Sequence, residues 1–414
     1  MNTFSYIFLA ALALHLAVQL WLDRRHLRHV QANRAVVPPA FASEIPLGAH
    51  QKAADYTTAR LRFGFFETIV GAAVLLAWTL GGGFDALDRW LHSFGASELL
   101  SGVAFIVFSF MLMAVIDLPA QIYRTFVIEQ RFGFNRTNAK TFALDLLKAA
   151  LLMIVIGAPL VALVLWLMQH SGPWWWLYVW LTWTAFSLLM LWAFPVFIAP
   201  LFNKFEPLQD GELVTRIGNL LARTGFKSNG VFVMDGSRRS AHGNAYFTGF
   251  GTNKRIVFFD TLLKELNGAE IEAVLAHELG HFKRRHVLKR IVVMALTSLV
   301  GLAVLGWLIK QPWFYSGLGM STPSVHGALV LFLTVAPIFT FLLQPLMSRW
   351  SRQHEFEADE YAVHQSDGQS LIKALVKLYK ENANTLTPDP IYSAYHDSHP
   401  PAPIRVAHVQ ALMQ

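Results

Sequence analysis

The chain has 414 residues, 54% of them hydrophobic and only 15% charged, with a mean hydropathy of +0.40. That balance excludes a soluble globular protein and points to a membrane one. A formal net charge of +7 comes with no cysteine, which excludes disulfides and thiolate metal sites and leaves His and carboxylate side chains as the only strong metal ligands.

In chain order, seven apolar runs reach the roughly 20 residues a membrane-crossing helix needs. They lie near 3–22, 63–82, 101–121, 149–168, 174–198, 291–309 and 326–347. The first lacks a basic leader and is followed by Asp23-Arg24-Arg25, so it reads as a retained span rather than a cleaved signal. Lys and Arg alternate between the connections. The segment after the first run carries Arg24, Arg25, Arg28, Arg34, Lys52, Arg60 and Arg62, whereas the next connection has only Arg89. The third is basic again, the His170-Ser171-Gly172-Pro173 turn carries neither residue, 199–290 is rich in both, 311–325 has neither, and the tail is basic. The positive-inside rule then sets the amino terminus outside, with 199–290 and the carboxy-terminal tail in the cytoplasm. The charge is spread over these loops rather than gathered in one aromatic-laced patch, so a nucleic-acid partner is not expected. Membrane lipid is.

Pro195 and Pro200 are expected to end the fifth span. An amphipathic helix follows at about 210–224, closed by Gly225. Short β runs come next at Gly230 to Met234, Asn244 to Phe250 and Arg255 to Phe259, with a turn at Gly251-Thr252-Asn253. Asn267 with Glu270 forms a capping-box pattern that opens a helix carrying His277-Glu278-Leu279-Gly280-His281. Histidines at i and i+4 share a helical face, so both rings can converge on one Zn²⁺, with Glu278 beside the water of the open position. Metal-assisted peptide hydrolysis needs that Lewis acid and that base. The extended metzincin pattern is excluded, because Arg284 and Val287 stand where it requires Gly and His. His286 is expected to point about 140° away from His281 on a continuous helix and to be exposed or interfacial.

A catalytic zinc takes three protein ligands. The densest downstream acidic cluster is Glu355-Phe356-Glu357-Ala358-Asp359-Glu360, where Glu355 and Asp359 share a face and Ala358 and Ala362 let it pack closely. One carboxylate can bind metal while the other accepts the spare N–H of a histidine ligand. By spacing alone, a charged interfacial helix without metal is the competing reading. Glu357 and Glu360 point elsewhere and are expected in solvent. Near the end, His396-Asp397-Ser398-His399-Pro400-Pro401 and Arg405 offer a donor for an oxyanion, or simply a surface loop. The β run at Asn244-Ala245-Tyr246-Phe247 is either a structural strand or an edge to which an extended substrate adds.

These blocks together resemble the type I CAAX prenyl proteases. The resemblance extends over nearly the whole chain. It includes Thr125-Phe126-Val127-Ile128-Glu129, Phe132-Gly133-Phe134-Asn135, Ile198-Ala199-Pro200-Leu201-Phe202, Gly243-Asn244-Ala245-Tyr246-Phe247, Lys254-Arg255-Ile256-Val257, the H-E-L-G-H run, Ser351-Arg352, Glu355-Phe356-Glu357-Ala358-Asp359 and Ser398-His399-Pro400. It implies a mainly α multi-pass protein, with seven membrane helices forming a chamber and a zincin-like α+β peptidase domain on the cytoplasmic side. Residues 1–200 would form the membrane domain. Residues 201–414 would form the peptidase domain, interrupted by the last two spans. The resemblance implies one Zn²⁺ held by His277, His281 and Glu355, with Asp359 supporting them and Glu278 and His399 catalytic. Asn244, Ala245, Tyr246 and Arg405 would meet the substrate, a peptide or protein that is prenylated or membrane-associated. The membrane would be a bacterial inner membrane or the eukaryotic endoplasmic reticulum. The chain lacks the long insertion that the eukaryotic enzymes carry between spans six and seven. A membrane quality-control zinc protease and a seven-span metal-binding transporter are the alternatives.

Overall fold

The computed structural model describes residues 1–248 and 254–414. Among these, seven helices are long and apolar enough to cross a membrane: Thr3–Ala32, Leu47–Trp78, Glu98–Phe132, Ala139–His170, Gly172–Phe202, His286–Leu308 and Val325–Gln365, here spans one to seven. Each covers all or most of one expected apolar run, the second run extending past the helix end at Trp78, and several helices continue well past their run because they carry a polar extension out of the apolar layer. Leu147, Val155, Trp183 and Leu296 are exposed on the bundle surface, the pattern of a face that meets lipid.

Span five does not stop at Pro195. Its helix passes through a widened turn at Phe194–Ile198 and ends at Phe202. A widened turn absorbs a proline's missing N–H locally, so the two prolines do not break this helix. Span seven tightens at Phe341–Leu343 before its last part, Gln344–Gln365, which carries the acidic cluster.

At one end of the bundle, Phe8, Phe84, Phe105, Leu165, Tyr315 and Leu331 form a dry core that joins spans one, three, four and seven to the short helices Gly83–His92 and Pro312–Gly317. At the other end sits the peptidase unit. Its four-stranded sheet has the order β1 (Phe205–Pro207), β2 (Val231–Met234), β4 (Arg255–Phe259), β3 (Ala245–Thr248). β2 and β4 are parallel, and β1 and β3 add antiparallel on the two sides. β3 is therefore an edge strand, with Ala245 opposite Phe258 and Tyr246 opposite Val257. β1 is too short to announce itself in the sequence. The expected 251–253 turn lies outside the described residues.

The amphipathic helix runs from Gly211 to Thr224 and closes on Gly225 with a φ of 65°, the left-handed cap that glycine favours. Ile217, Phe258, Leu275 and Leu371 pack into one core behind the sheet. The helix Gly268–Lys283 starts as expected. The Asn267 side chain accepts from the Glu270 N–H at 3.0 Å, and Glu270 accepts from the Asn267 N–H at 2.8 Å.

Candidate active site

The helix Gly268–Lys283 and the last part of span seven cross at very close range. A Cβ on Gly280 would lie 2.9 Å from Ala358 Cα and 3.1 Å from its carbonyl oxygen, and Ala358 and Ala362 are fully buried. This approach brings the acidic face of span seven onto the histidine face of the other helix. His277 Nε2 and His281 Nε2 stand 3.3 Å apart. Glu355 Oε2 is 3.5 Å from the former, and Glu355 Oε1 is 3.4 Å from the latter. Ligands bonded to a tetrahedral ion at 2.0–2.1 Å are separated by roughly 3.3 Å, and the His–His edge and one edge from each Glu355 oxygen are close to that length. Glu355 Oε2 is buried without a hydrogen-bond donor; Arg405 Nη1 faces it at 3.5 Å, and an ion bonded directly to it would satisfy it more fully. The donor set therefore fits a divalent metal.

The ring orientations are fixed from behind. Asp359 Oδ1 lies 2.8 Å from His277 Nδ1. If Nδ1–H donates to that carboxylate, Nε2 presents its lone pair to the centre. Arg405 grips the same carboxylate with two charge-assisted bonds of 2.7 Å, from Nε and Nη2. Burial and Arg405 both push the His277 pKa down, yet Asp359 and Glu355 outweigh them and lift it to about 9. Burial and then His277 push its neighbour His281 down to about 3. The pair thus holds one proton rather than two.

In front of the histidines lies a cleft of about 320 Å³, lined by Gly243, Asn244, Ala245, Glu278, His399 and Arg405 among others. Glu278 faces it, and its carboxylate is hydrogen-bonded to no described residue. Burial raises its pKa, the direction that suits a proton acceptor. His399 is exposed to the cleft, with Nε2 3.4 Å from Glu355 Oε1. Asn244 and Ala245 bring edge strand β3 to the rim. Tyr379, Asn384 and His399 also line a second cavity of about 720 Å³ that reaches among spans one to three, where Asp23, Arg60, Glu67, Arg124 and Glu129 face it.

Residues 26–204 match the family model described as the CAAX prenyl protease N-terminal region of five membrane helices, and residues 207–413 match peptidase family M48. Over 438 aligned residues the chain is 34% identical to the CAAX prenyl protease 1 homolog of Caenorhabditis elegans, with 98% of each chain covered. The chain belongs to the CAAX prenyl protease 1 family. It is 34% identical to CAAX prenyl protease 1 of Saccharomyces cerevisiae over 395 residues, covering 88% of this chain and 86% of that one. The crystal structure of S. mikatae Ste24p superposes with a TM-score of 0.92 at 31% identity, covering 99% of both chains. A multi-pass membrane metallopeptidase acting on peptide or protein substrates is the function this membership carries.

One expectation about this CAAX-protease site is corrected. His286 is neither exposed nor turned away from His281. The helix ends at Lys283, Arg285 adopts a left-handed φ of 57°, and a new helix starts at His286. The break swings His286 inward, where it is 3% exposed. Its Nδ1 lies 2.9 Å from His281 Nδ1 and its Nε2 3.0 Å from Glu357 Oε2, while its ring stacks on His354 at 3.9 Å. His281 is thus backed by a histidine and a carboxylate, as His277 is backed by Asp359 and Arg405. A helical wheel cannot find this contact, because it assumes the helix continues through Arg285. Arg405, expected against the substrate, lines the cleft but spends its Nε and Nη2 on Asp359.

Proposed function

We propose that this metallopeptidase uses Zn²⁺ held by His277, His281 and Glu355, and that it hydrolyses a peptide bond laid across the cleft beside β3. The observation that carries this is the convergence, in one cleft, of a three-ligand set, the Glu278 carboxylate with no hydrogen-bond partner among the described residues, and the edge strand β3. When bound, the ion polarises the scissile carbonyl and makes an attacking water more acidic. Everything else falls to the chain's own residues.

The substrate adds to β3 in extended form beside Asn244, Ala245 and Tyr246; because the Asn244 carbonyl already accepts from the Phe259 N–H at 2.9 Å and Tyr246 pairs with Val257, the outward-facing backbone of Ala245 fixes its register. Glu278 accepts the proton the attacking water gives up and delivers it to the departing amine, so the proton balance closes on one carboxylate. His399 donates to the oxygen on which negative charge develops, and the Nη1 side of Arg405 adds positive potential. Asp359 holds His277 and Arg405 in place. We assign residues 1–200 to the membrane domain and 201–414 to the peptidase. By the alternation of Lys and Arg, the site faces the cytoplasm, in a bacterial inner membrane or the endoplasmic reticulum.

The substrate is inferred to be a prenylated or membrane-associated protein tail. The 720 Å³ cavity shares Tyr379, Asn384 and His399 with the cleft, which gives a tail anchored in lipid a route to the site. The test compares the wild type with Glu278→Gln on a farnesylated carboxy-terminal peptide and its unprenylated twin. Glu278→Gln keeps its ion and loses at least about 10²-fold in turnover; near-normal hydrolysis by that variant overturns the role of Glu278. Wild-type cleavage of both peptides at equal rates overturns prenyl recognition while leaving the hydrolytic reading intact.

A further inference from the structure

A second group of histidine and carboxylate lies at the opposite end of the bundle, and the hydrolytic reading makes no use of it. On the short helix Gly83–His92, Asp88 and His92 occupy i and i+4 and so stand side by side. His326 enters from the first turn of span seven, just after the Ser324 cap. Its Nε2 lies 2.7 Å from Asp88 Oδ1, and His92 Nδ1 lies 3.2 Å from the same oxygen. One ligand atom from each residue can be chosen so that all lie within 4.8 Å of one another.

The cluster is built rather than accidental. Asp88 and His326 are 5% and 2% exposed. The His326 ring is held by the edge of Phe105 at 5.1 Å and lies against Gly102, where a Cβ would come within 3.0 Å of Nδ1. Next to it, Asp85 accepts from the Ser321 N–H at 2.8 Å and from its hydroxyl at 2.6 Å, which ties the connection before span seven to the same short helix.

Charge is the deciding point. A carboxylate buried among apolar groups requires a positive partner. The neighbouring arginine does not supply it, since Arg89 pairs with Asp85 at 3.0 Å, and no Lys or Arg pairs with Asp88 among the described residues. What Asp88 faces is two imidazoles. His92 also has Nδ1 2.9 Å from the Asp88 carbonyl oxygen, but its side chain is 41% exposed and has room to turn. A dication between the three groups would balance the carboxylate and use a lone pair from each ring. The 3.2 Å His92 contact is already near the roughly 3.3 Å separation of ligands on one ion, and the 2.7 Å His326 contact must lengthen to reach it. A two-His, one-carboxylate set selects borderline ions such as Zn²⁺ over Mg²⁺ or Ca²⁺.

We propose that Asp88, His92 and His326 form a second divalent transition-metal site, which staples the Gly83–His92 helix to the head of span seven and takes no part in hydrolysis. Solvent fills the remaining position on the exposed His92 side.

The test loads the purified full-length protein in detergent micelles with Zn²⁺, removes excess by gel filtration and counts ions per chain by mass spectrometry. Because His92 is half in solvent, His92→Ala is expected to fold and to retain wild-type turnover. Wild type carries two ions, His92→Ala one, Glu355→Ala one, and the double variant none. Added Zn²⁺ raises the unfolding midpoint of Glu355→Ala but not that of the double variant. A wild type holding one ion that survives His92→Ala overturns the second site, as does an ion count that His92→Ala leaves at two. A single wild-type ion that His92→Ala removes supports the second site and overturns the cleft assignment instead.

Discussion

The two His–carboxylate clusters of this protein share a plan and differ in what surrounds them. Each sets an i, i+4 pair on one helix against a residue from span seven. At the cleft, the three contacts are nearly equal at 3.3, 3.4 and 3.5 Å, and a carboxylate oxygen is left without a donor. At the far end, His326 and Asp88 close to a direct 2.7 Å contact. The cleft cluster has buried backing on both histidines, a free carboxylate at Glu278 and an open strand edge. Among the described residues, the far cluster has packing behind His326 but no free carboxylate and no strand edge beside it. Ligand geometry alone can hold an ion; a base, an oxyanion donor and a place for the substrate are what make a centre catalytic.

The comparison breaks most severely if the helix crossing at the cleft is widened. Gly280→Leu puts a side chain where even a Cβ is 2.9 Å from backbone, so Glu355 moves away from both histidines. Displacements near 1 Å cost on the order of 10²-fold in rate, and here the ion is lost as well. We expect turnover to fall at least that far and Zn²⁺ at the cleft to drop below one per chain, with the Asp88 cluster unaffected. A Gly280→Leu enzyme with normal kcat/KM would show that the crossing does not set the ligand spacing.

A smaller effect tests the backing. Asp359→Asn preserves shape but removes the charge that holds His277 and Arg405. Replacing such a partner typically weakens metal affinity 10–100-fold, and it leaves buried Arg405 with only its longer 3.5 Å contact to Glu355 as a charged partner, at a stability cost of about 1–3 kcal/mol. Chelator competition should register the first and thermal unfolding the second. Unchanged chelator sensitivity would mean that Asp359 does not orient His277.

Much of this was legible in the sequence. Seven apolar runs, the capping box at Asn267 and the face shared by Glu355 and Asp359 follow from periodicities of the chain, and the helices and the close packing at Ala358 agree with them. What stayed hidden depends on local breaks or long-range contact. The left-handed turn at Arg285 reverses the expected direction of His286, and no residue-type preference announces an αL arginine. The widened turn at Pro195 lets a helix continue where proline rules end it. The three-residue strand β1 is too short to carry a period. The Asp88–His326 contact joins residues 238 apart, and nothing in either local pattern points to the other.

The gentlest way to sharpen the comparison is to titrate the cleft pair. Without an ion, the carboxylates around His277 hold its pKa at about 9, above the usual 6.5, while burial and His277 itself keep His281 at about 3. At pH 7 the pair therefore carries one proton, on His277. The sign follows from linkage. A folded pKa above the unfolded one stabilises the folded chain fully below about pH 6.5, and that contribution is lost as pH rises through 9. The depressed His281 acts below 6.5 in the other sense, because the unfolded chain takes up a proton that the folded one refuses. The metal-free protein should then lose unfolding temperature from pH 6.5 to 9, and again on acidification below 6.5. An ion entering the site must expel the His277 proton. Calorimetry of Zn²⁺ binding in two buffers of different ionisation heat should give close to one proton released per cleft ion at pH 7, falling toward zero above pH 9. Release that stays near zero at pH 7 would mean that His277 is already neutral, and that Asp359 and Glu355 do not govern its charge.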